Sequence, residues 1–225
     1  MSTGTLNIVS TPIGNYADMT FRSLRMLNES DYIICEEYKE AVRLLKFFDI
    51  KKDLKQINEH NEEELDDEII HDLLAGKNVS LISDCGTPLF ADPGNTLLNR
   101  CIELNLKVDF IPGANSLLAA IVLSGFDISR FLYYGFLSPK AEIRKTELKT
   151  IKNFEKVIAI FEAPYRLRQV LEDINQYMPE RDLFIGVNMT TPNEMQLRGK
   201  ASEILDSLEE KFKGEFVIII NKPLS

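Results

Sequence analysis

Apolar runs rich in β-branched residues alternate with segments of helical periodicity through the first half of this chain. Five runs have the length and composition of strands: residues 6–10, 32–35, 55–57, 79–83 and 108–111. The segments between them carry apolar residues at helical spacing: residues 20–28, 38–48, 61–75 and 96–104. Because alternating strands and helices pack as a parallel sheet covered by helices, the pattern predicts an α/β fold with a mostly parallel sheet.

The segment Ile-Pro-Gly-Ala-Asn-Ser at 111–116 interrupts this alternation, and we place a domain boundary after Gly113. The predicted domains are residues 1–113 and residues 114–225. In the second half the sequence predicts strands at 131–134, 157–161, 182–188 and 215–220, and helices at 117–124, 140–152, 166–176 and 201–211. This different order predicts a second α/β domain with a mixed sheet.

Composition narrows the class of protein. The 225 residues can bury the core of one large or two small domains. The sequence contains no run of about 18 apolar residues, so we expect no membrane span. The N-terminus has neither the basic start nor the apolar stretch of a signal peptide, and a cytoplasmic location is expected. A formal net charge of −9 argues against broad nonspecific binding to nucleic acid.

Several common catalytic motifs are absent from the sequence, namely the P-loop, GxGxxG, GxSxG and HExxH. The three cysteines show no CxxC spacing and there are only two histidines, so we expect no zinc site and no other metal. His60 follows a predicted strand and is a functional candidate, with helix capping near Asn61 as the alternative interpretation.

Three predicted strands run directly into loops rich in glycine, proline and small polar residues. The longest of these loops follows the strand at 79–83, begins at Asp84 and ends at Gly94; the others occupy 10–15 and 161–166. In an open α/β sheet, ligands bind beyond the carboxyl ends of the strands. A carboxylate beside closely approaching backbone amides at that edge predicts a small-molecule site.

Charge is distributed unevenly along the chain. Residues 59–72 are strongly acidic and are typical of a solvated helix face, whereas basic residues predominate between 140 and 168. The candidates for an RNA-facing surface are Lys140, Arg144, Lys145, Arg166 and Arg168. An ordinary exposed helix is an equally good interpretation of this basic stretch.

Five segments follow one another in a distinctive order: TPIGN at 11–15, ISDCGTPLFADPG at 82–94, IPGANSLLAAIVLSG at 111–125, FEAPYR at 161–166 and KGEFVIII at 213–220. Their order and spacing resemble those of the tetrapyrrole methylase superfamily. Within it, the chain most resembles the RsmI family, the ribosomal RNA (cytidine-2′-O)-methyltransferases of the small subunit. The similarity covers essentially the whole chain.

This resemblance implies two α/β domains with S-adenosylmethionine bound in the cleft between them, usually in a homodimer and without a metal. By motif, the donor-binding residues would be Pro12, Asp84, Thr87, Ala114, Ser116, Phe161, Glu162 and Met189. The implied reaction is methyl transfer to the ribose 2′-hydroxyl of a cytidine in small-subunit RNA. The motifs do not identify the proton acceptor, for which Glu36, Glu37 and Glu162 are candidates.

The chain departs from the family pattern in three places. The segment Cys-Glu-Glu-Tyr-Lys at 35–39 stands where the family has Ala-Glu-Asp-Thr-Arg, and Gly-Val-Asn-Met-Thr-Thr at 186–191 replaces Ala-Arg-Glu-Leu-Thr-Lys. The chain also ends at Ser225, without the C-terminal extension of many members. Two alternatives therefore stay open: a tetrapyrrole or corrinoid C-methyltransferase, and a donor-binding methyltransferase-like protein whose activity is altered or lost.

Overall fold

The computed structural model describes residues 3–58, 61–209 and 212–223, so His60 lies outside the described residues. The chain divides into two compact units, Met1–Asn115 and Ser116–Ser225. The division falls inside the Pro-Gly-Ala-Asn-Ser segment, two residues after the boundary placed from the sequence.

The first unit contains a five-stranded sheet in the order β3-β2-β4-β1-β5, with every pair parallel. The strands are β1 (Thr5–Val9), β2 (Tyr32–Cys35), β3 (Leu54–Gln56), β4 (Val79–Ile82) and β5 (Lys107–Ile111). The helices are α1 (Phe21–Glu29), α2 (Tyr38–Phe47), α3 (Glu62–Leu74) and α4 (Asn95–Glu103). The parallel α/β architecture predicted from the alternation is confirmed, because each crossover between neighbouring parallel strands is made by a helix.

Both faces of this sheet are buried, which explains the nearly continuous apolar character of its central strands. On one face, Leu6 and Leu81 pack with Ile69 of α3 and Leu97 of α4. The opposite face packs against α1 and α2, through the residues Val9, Ile33, Ile82, Leu27, Ala41 and Leu44. The loops at the carboxyl ends of β1, β4 and β5 therefore start from a rigid, well-packed base.

One acidic side chain of α3 is buried on the same helical face as Ile69 and Leu73. Asp66 is 0% exposed, and neither of its carboxylate oxygens has a hydrogen-bond partner among the described residues. Burial, with contributions from the charges of Glu62 and Asp67, raises its pKa to about 6. The fold thus keeps a carboxyl group from water without giving it a hydrogen-bonding partner.

The second unit contains a mixed sheet in the order β6-β7-β10-β8-β9, in which only β6 and β7 are parallel. Its strands are β6 (Phe131–Phe136), β7 (Val157–Phe161), β8 (Asp182–Val187), β9 (Met195–Lys200) and β10 (Phe216–Ile220). Its helices are α5 (Ser116–Ser124), α6 (Ala141–Ile151), α7 (Leu167–Tyr177) and α8 (Ala201–Ser207). The core is formed by the central strands with α6, α7 and α8.

Strand β9 was not predicted from the sequence. It is an edge strand with mostly exposed or half-exposed side chains, so it lacks the apolar signal of the central strands. Arg198 of β9 lies over the ring of Phe184, at 4.5 Å from its centroid, and donates to the carbonyls of Leu123 and Ser124 at the end of α5. These interactions stabilise an edge whose hydrophobic contribution is small.

Candidate functional site

The loops after β1 and β4 are joined by reciprocal hydrogen bonds. The backbone N–H of Thr11 donates to the Gly86 carbonyl at 2.8 Å, and the Gly86 N–H donates to Thr11 Oγ1 at 3.1 Å. The Thr11 hydroxyl in turn donates to the Ser83 carbonyl at 3.1 Å. Because β1 and β4 are neighbouring parallel strands, their carboxyl ends meet at one sheet edge, and these bonds fix the two loops against each other.

Thr87 connects both loops to the segment after β5. Its hydroxyl oxygen lies 3.3 Å from Ser10 Oγ and 3.3 Å from the Asn115 side-chain nitrogen, both of which donate to it. The same hydroxyl donates to the Ala114 carbonyl at 3.4 Å. Of the residues predicted to bind the methyl donor, Thr87 and Ala114 are therefore in direct contact.

Two glycines allow the backbones of these loops to approach closely. Gly86 has φ +87°, and a Cβ atom there would lie 3.2 Å from Ile13 Cγ2 and 3.6 Å from the Ala114 carbonyl oxygen. A Cβ atom on Gly113 would lie 2.9 Å from Ser10 Cβ, closer than side chains tolerate. The three loops thus form a compact floor that a larger residue at either position would disrupt.

Asp84 and Pro12 line a cleft of about 210 Å³ beside this floor. Asp84 Oδ1 accepts the N–H of Glu37 at 3.0 Å. Burial raises the pKa of Asp84, and the charges of Glu37, Asp92 and Glu40 add to the shift, while the bond from the Glu37 N–H opposes it. The residues that line the cleft include two acids, Asp84 and Glu40, and no lysine or arginine. The cleft is therefore suited to a neutral or positively charged ligand.

Glu36 and Glu37, two of the candidate proton acceptors, follow β2 at the same sheet edge. Glu37 caps α2: its carboxylate accepts the N–H of Lys39 at 3.3 Å while its own N–H donates to Asp84. Glu36 is half-buried, and its carbonyl accepts the side-chain amide of Gln56 at 2.8 Å. The side chain of Glu37 thus has a structural role in starting the helix.

In the second unit, Glu162 immediately follows β7 and its side chain is 0% exposed. Oε1 accepts the Ala163 N–H at 2.8 Å and lies 2.9 Å from Arg166 Nη1, whereas Oε2 has no partner among the described residues. Burial raises the pKa of Glu162, although the Ala163 N–H and the charges of Arg166 and Arg144 oppose the shift. One carboxylate oxygen is therefore fixed by two donors, and the other is buried without a hydrogen bond from the described residues.

Phe161, Met189 and Ser116 occupy three other strand or helix ends of the second unit. The Phe161 ring makes edge contacts with Tyr133 and Phe136, at centroid distances of 5.3 and 5.8 Å. Met189 is buried and covers Gly186, where a Cβ atom would lie 2.6 Å from the methionine sulfur. Ser116 is the first residue of α5.

The prediction that Arg144 faces RNA is wrong. Arg144 is 1% exposed and forms an ion pair with Asp173 of α7, with 2.7 Å between Nε and Oδ2. Its Nη1 also donates to the carbonyls of Ser138 and Pro139, at 3.2 Å each. The guanidinium is used to hold α6, α7 and the loop after β6 together, so it is not available to phosphate.

Arg166 and Arg168 also differ from their predicted RNA-facing role. The Arg166 side chain is 11% exposed and is directed to Glu162 and to the carbonyls of Leu137 and Ser138. Arg168 donates to the Leu208 carbonyl at 2.6 Å. Lys140 is exposed, the Lys145 side chain is 37% exposed, and Arg168 is half-buried.

Within the described ranges, no group of three or more His, Cys, Asp or Glu side chains could hold a metal ion. None of the helices in the part of the chain that the structure describes is long and apolar enough to cross a membrane.

A model of the family "Tetrapyrrole (Corrin/Porphyrin) Methylases" matches residues 5–205, which include every loop described above. The chain belongs to the tetrapyrrole methylase family. This confirms the resemblance inferred from the five sequence motifs, and the paired α/β units carry the strand-end loops at which that resemblance was strongest.

Two relatives within the tetrapyrrole methylase family have the same name, "Ribosomal RNA small subunit methyltransferase I". The protein of Thermotoga maritima is 39% identical over 219 residues, which are 97% of this chain and 98% of the relative. That of Halalkalibacterium halodurans is 36% identical over 218 residues, 96% of this chain and 75% of the relative. A solved diphthine synthase superposes with a TM-score of 0.79 at 16% identity, over 97% of this chain and 90% of the other, which shows the shared fold.

Proposed function

We propose that this chain is an S-adenosylmethionine-dependent methyltransferase that methylates the ribose 2′-hydroxyl of a cytidine in small-subunit ribosomal RNA. The observation that carries the proposal is the 39% identity to the Thermotoga maritima small-subunit RNA methyltransferase over nearly the full length of both chains. The three joined loops at one sheet edge support it, because ligands of α/β proteins bind at such edges.

We take the donor-binding residues of this proposal from the family motifs: Pro12, Asp84, Thr87, Ala114, Ser116, Phe161, Glu162 and Met189. One observation fits a donor that carries positive charge on its sulfonium and amino groups: the cleft beside Asp84 is lined by two acids and by no lysine or arginine.

When bound, the donor supplies an activated methyl group that an in-line attack by a hydroxyl oxygen can take. The residues of this chain align the two reacting groups and exclude water, which can supply several kcal/mol of the reduction in the barrier. The attacking hydroxyl must also lose its proton. Of the three candidate acceptors, Glu162 is the best supported, because Oε2 is unpartnered while Oε1 is held in place.

The RNA-facing surface consists of Lys140, which is exposed immediately before α6, and Lys145 of α6, whose side chain is 37% exposed. Exposed lysines interact with phosphate as flexible point charges, without requiring a fixed geometry. The acidic character of the rest of the chain restricts this interaction to a small surface, which favours a structured target such as an assembled subunit over free RNA.

The proposed active form is a cytoplasmic homodimer. This part of the proposal rests on the family resemblance of the sequence motifs. Light scattering on the purified protein tests this part separately, and a mass of one chain at working concentration contradicts it.

The proposed function is tested by incubating the purified protein and radiolabelled S-adenosylmethionine with small subunits from cells that lack the corresponding gene. The expected product is labelled small-subunit RNA whose nuclease digest contains 2′-O-methylcytidine by mass spectrometry. A parallel incubation supplies uroporphyrinogen in place of small subunits, and label in that compound but not in RNA indicates C-methylation. Calorimetric binding of the donor without transfer to RNA indicates a protein that has lost the activity.

A further inference from the structure

The Arg166 guanidinium connects two neighbouring strand ends of the second unit. Nη1 lies 2.9 Å from Glu162 Oε1, directly after β7, and Nη2 donates to the Ser138 carbonyl at 3.0 Å, shortly after β6. Because β6 and β7 are parallel neighbours, both segments leave the sheet at the same edge. A single planar side chain therefore sets the distance between the Glu162 carboxylate and the loop after β6.

The loop after β6 is itself held from the side of α6. Glu147 accepts the Ser138 N–H at 2.9 Å, and Arg144 donates to the Ser138 carbonyl that Arg166 also contacts. Arg144 is fixed in turn by its ion pair with Asp173. Arg166 is thus attached to a carbonyl that cannot move independently of α6 and α7.

The two oxygens of Glu162 are treated differently by this arrangement. The Ala163 N–H and Arg166 both bond Oε1, while Oε2 is buried without a partner among the described residues. Buried carboxylate oxygens are normally hydrogen-bonded, and the position of this carboxylate is therefore set by the bonds to Oε1 alone among the described residues.

We propose that Arg166 is a positioning residue: through Oε1 it fixes the carboxylate of Glu162, the proton acceptor of the proposed function. This inference rests on the proposed function, since it concerns the geometry of the same site. It replaces the RNA-facing role predicted from the sequence, because the guanidinium is committed to internal partners. Arg168, two residues further along, donates to the Leu208 carbonyl, and within the described ranges it forms no hydrogen bond or ion pair with Glu162.

The effect of Arg166 on the pKa of Glu162 can be measured. The charged groups that influence Glu162 are Arg166 before α7 and Arg144 and Glu147 of α6. Arg166 and Arg144 lower the pKa of Glu162, whereas burial and Glu147 raise it. When Arg166 is replaced by a neutral residue, one of the interactions that oppose the effect of burial is lost. The pKa of Glu162 is therefore expected to rise.

The test compares R166M, R166K and the matched control R168M by ¹³C NMR of carboxyl-labelled protein, with the Glu162 resonance assigned by its loss in E162Q. R166M is expected to raise the pKa of Glu162 by about one unit or more, as for a carboxylate that loses an adjacent cation. R168M is expected to leave the titration unchanged. An R166M titration equal to that of the wild type overturns the proposal.

Kinetics provide the second measurement, on small subunits with saturating donor. R166M is expected to lower kcat by about 100-fold, the lower end of the range for general-base catalysis, with KM for the donor changed by less than about threefold. R166K keeps the charge and loses the planar fork, so its kcat falls although its Glu162 titration stays close to wild type. A fall confined to donor affinity contradicts the positioning role.

These two measurements also separate this inference from the proposed function. If wild-type protein transfers no methyl group to RNA, the proposed function fails, while the NMR titration still reports whether Arg166 controls Glu162. If R166M does not fold by circular dichroism, R166K decides: wild-type kcat in that variant overturns the proposal, because a point charge then suffices.

Discussion

The backbone N–H of Gly94 donates to the carboxylate of Glu62 across 3.1 Å. This bond connects the last residue of the loop after β4 to the first turn of α3. Gly94 has φ +109° and also precedes α4 as its N-cap residue. The loop that carries Asp84 and Thr87 is therefore fixed at both ends.

Replacing Glu62 should loosen this loop. We expect E62A to lower the free energy of unfolding by about 1 kcal/mol, the typical value of one hydrogen bond, and to weaken donor binding by about fivefold. E63A is the control, because Glu63 is exposed in the same turn. Urea denaturation and calorimetric titration with S-adenosylmethionine measure the two effects. Equal behaviour of E62A and E63A would show that the bond to Gly94 is unimportant.

Gly86 and Gly125 provide a comparison between crowding and backbone strain. Both have positive φ, +87° and +70°, but a Cβ atom at 125 meets nothing within 4 Å, whereas one at 86 meets Ile13 and Ala114. G125A should therefore lower the free energy of unfolding by about 1–2 kcal/mol, because alanine is strained at this positive φ even though its Cβ atom meets no neighbour. G86A should destabilise more and abolish donor binding. Thermal unfolding with and without donor distinguishes the variants, and a donor-induced shift in G86A equal to wild type would contradict the expectation.

Asp66 should make stability depend on pH. Its pKa is about 6 in the folded chain against 3.8 as the ordinary value, so the folded state binds the proton more tightly. Below about pH 4 the group is protonated in both states, and its destabilising effect grows as the pH rises towards 6. By pH 7 the free energy of unfolding is reduced by an amount on the order of 3 kcal/mol. Asp66→Asn should remove this dependence and raise the free energy of unfolding at pH 7.

The control for Asp66 is Asp67→Asn, since the Asp67 side chain is 72% exposed and pairs with Arg100 at the surface. Its effect on stability should be small, because exposed ion pairs contribute less than about 1 kcal/mol. Urea denaturation of both variants at pH 4, 5, 6 and 7 provides the comparison. Parallel pH profiles for wild type and Asp66→Asn would refute the assignment of the dependence to Asp66.

Arg144 and Lys145 are adjacent in sequence but should respond differently to substitution. R144M leaves the Asp173 carboxylate, which is 13% exposed, without its cation and should lower the free energy of unfolding by about 3 kcal/mol. K145M removes an exposed charge and should leave stability nearly unchanged. Chemical denaturation measures the free energy of unfolding of both variants. Equally small losses in R144M and K145M would indicate that the Arg144 ion pair is weak.

The lysines of α6 should determine the salt dependence of binding to RNA. In K140Q/K145Q, the slope of log affinity against log salt concentration should fall in magnitude by about 1.5, as expected for two lost phosphate contacts. K51Q/K107Q removes the same charge from side chains of the first unit that are 89% and 64% exposed, and should leave the slope unchanged. Filter binding to small subunits at several salt concentrations measures both slopes.

Local patterns of hydrophobicity were sufficient to predict the first sheet, because its central strands are buried on both faces and its helices are amphipathic. They failed at β9, whose polar residues are held by pairing with β8 and by Arg198. The contact of Thr87 with the Ala114 segment agrees with the expectation that loops at the carboxyl ends of parallel strands meet.

The role of Arg144 could not be predicted in the same way. Its partner Asp173 lies 29 residues further along the chain, so a count of local charge finds a basic helix and does not reveal which cation is internal. The same limitation applies to Arg166, whose acceptors in the loop after β6 precede it by 28 and 29 residues. Long-range polar pairs of this kind leave no periodic signal.

The strand order of the second sheet has a consequence for synthesis of the protein. Strand β10 lies between β7 and β8 and pairs with both, although it follows them in the chain. All five strands of the first sheet have emerged from the ribosome once residue 111 is outside the exit tunnel, so that unit can fold while translation continues. The second sheet lacks its middle strand until residues 216–220 emerge. Until then β7 and β8 have unpaired edges, and this nascent intermediate is where chaperone binding and aggregation should be sought.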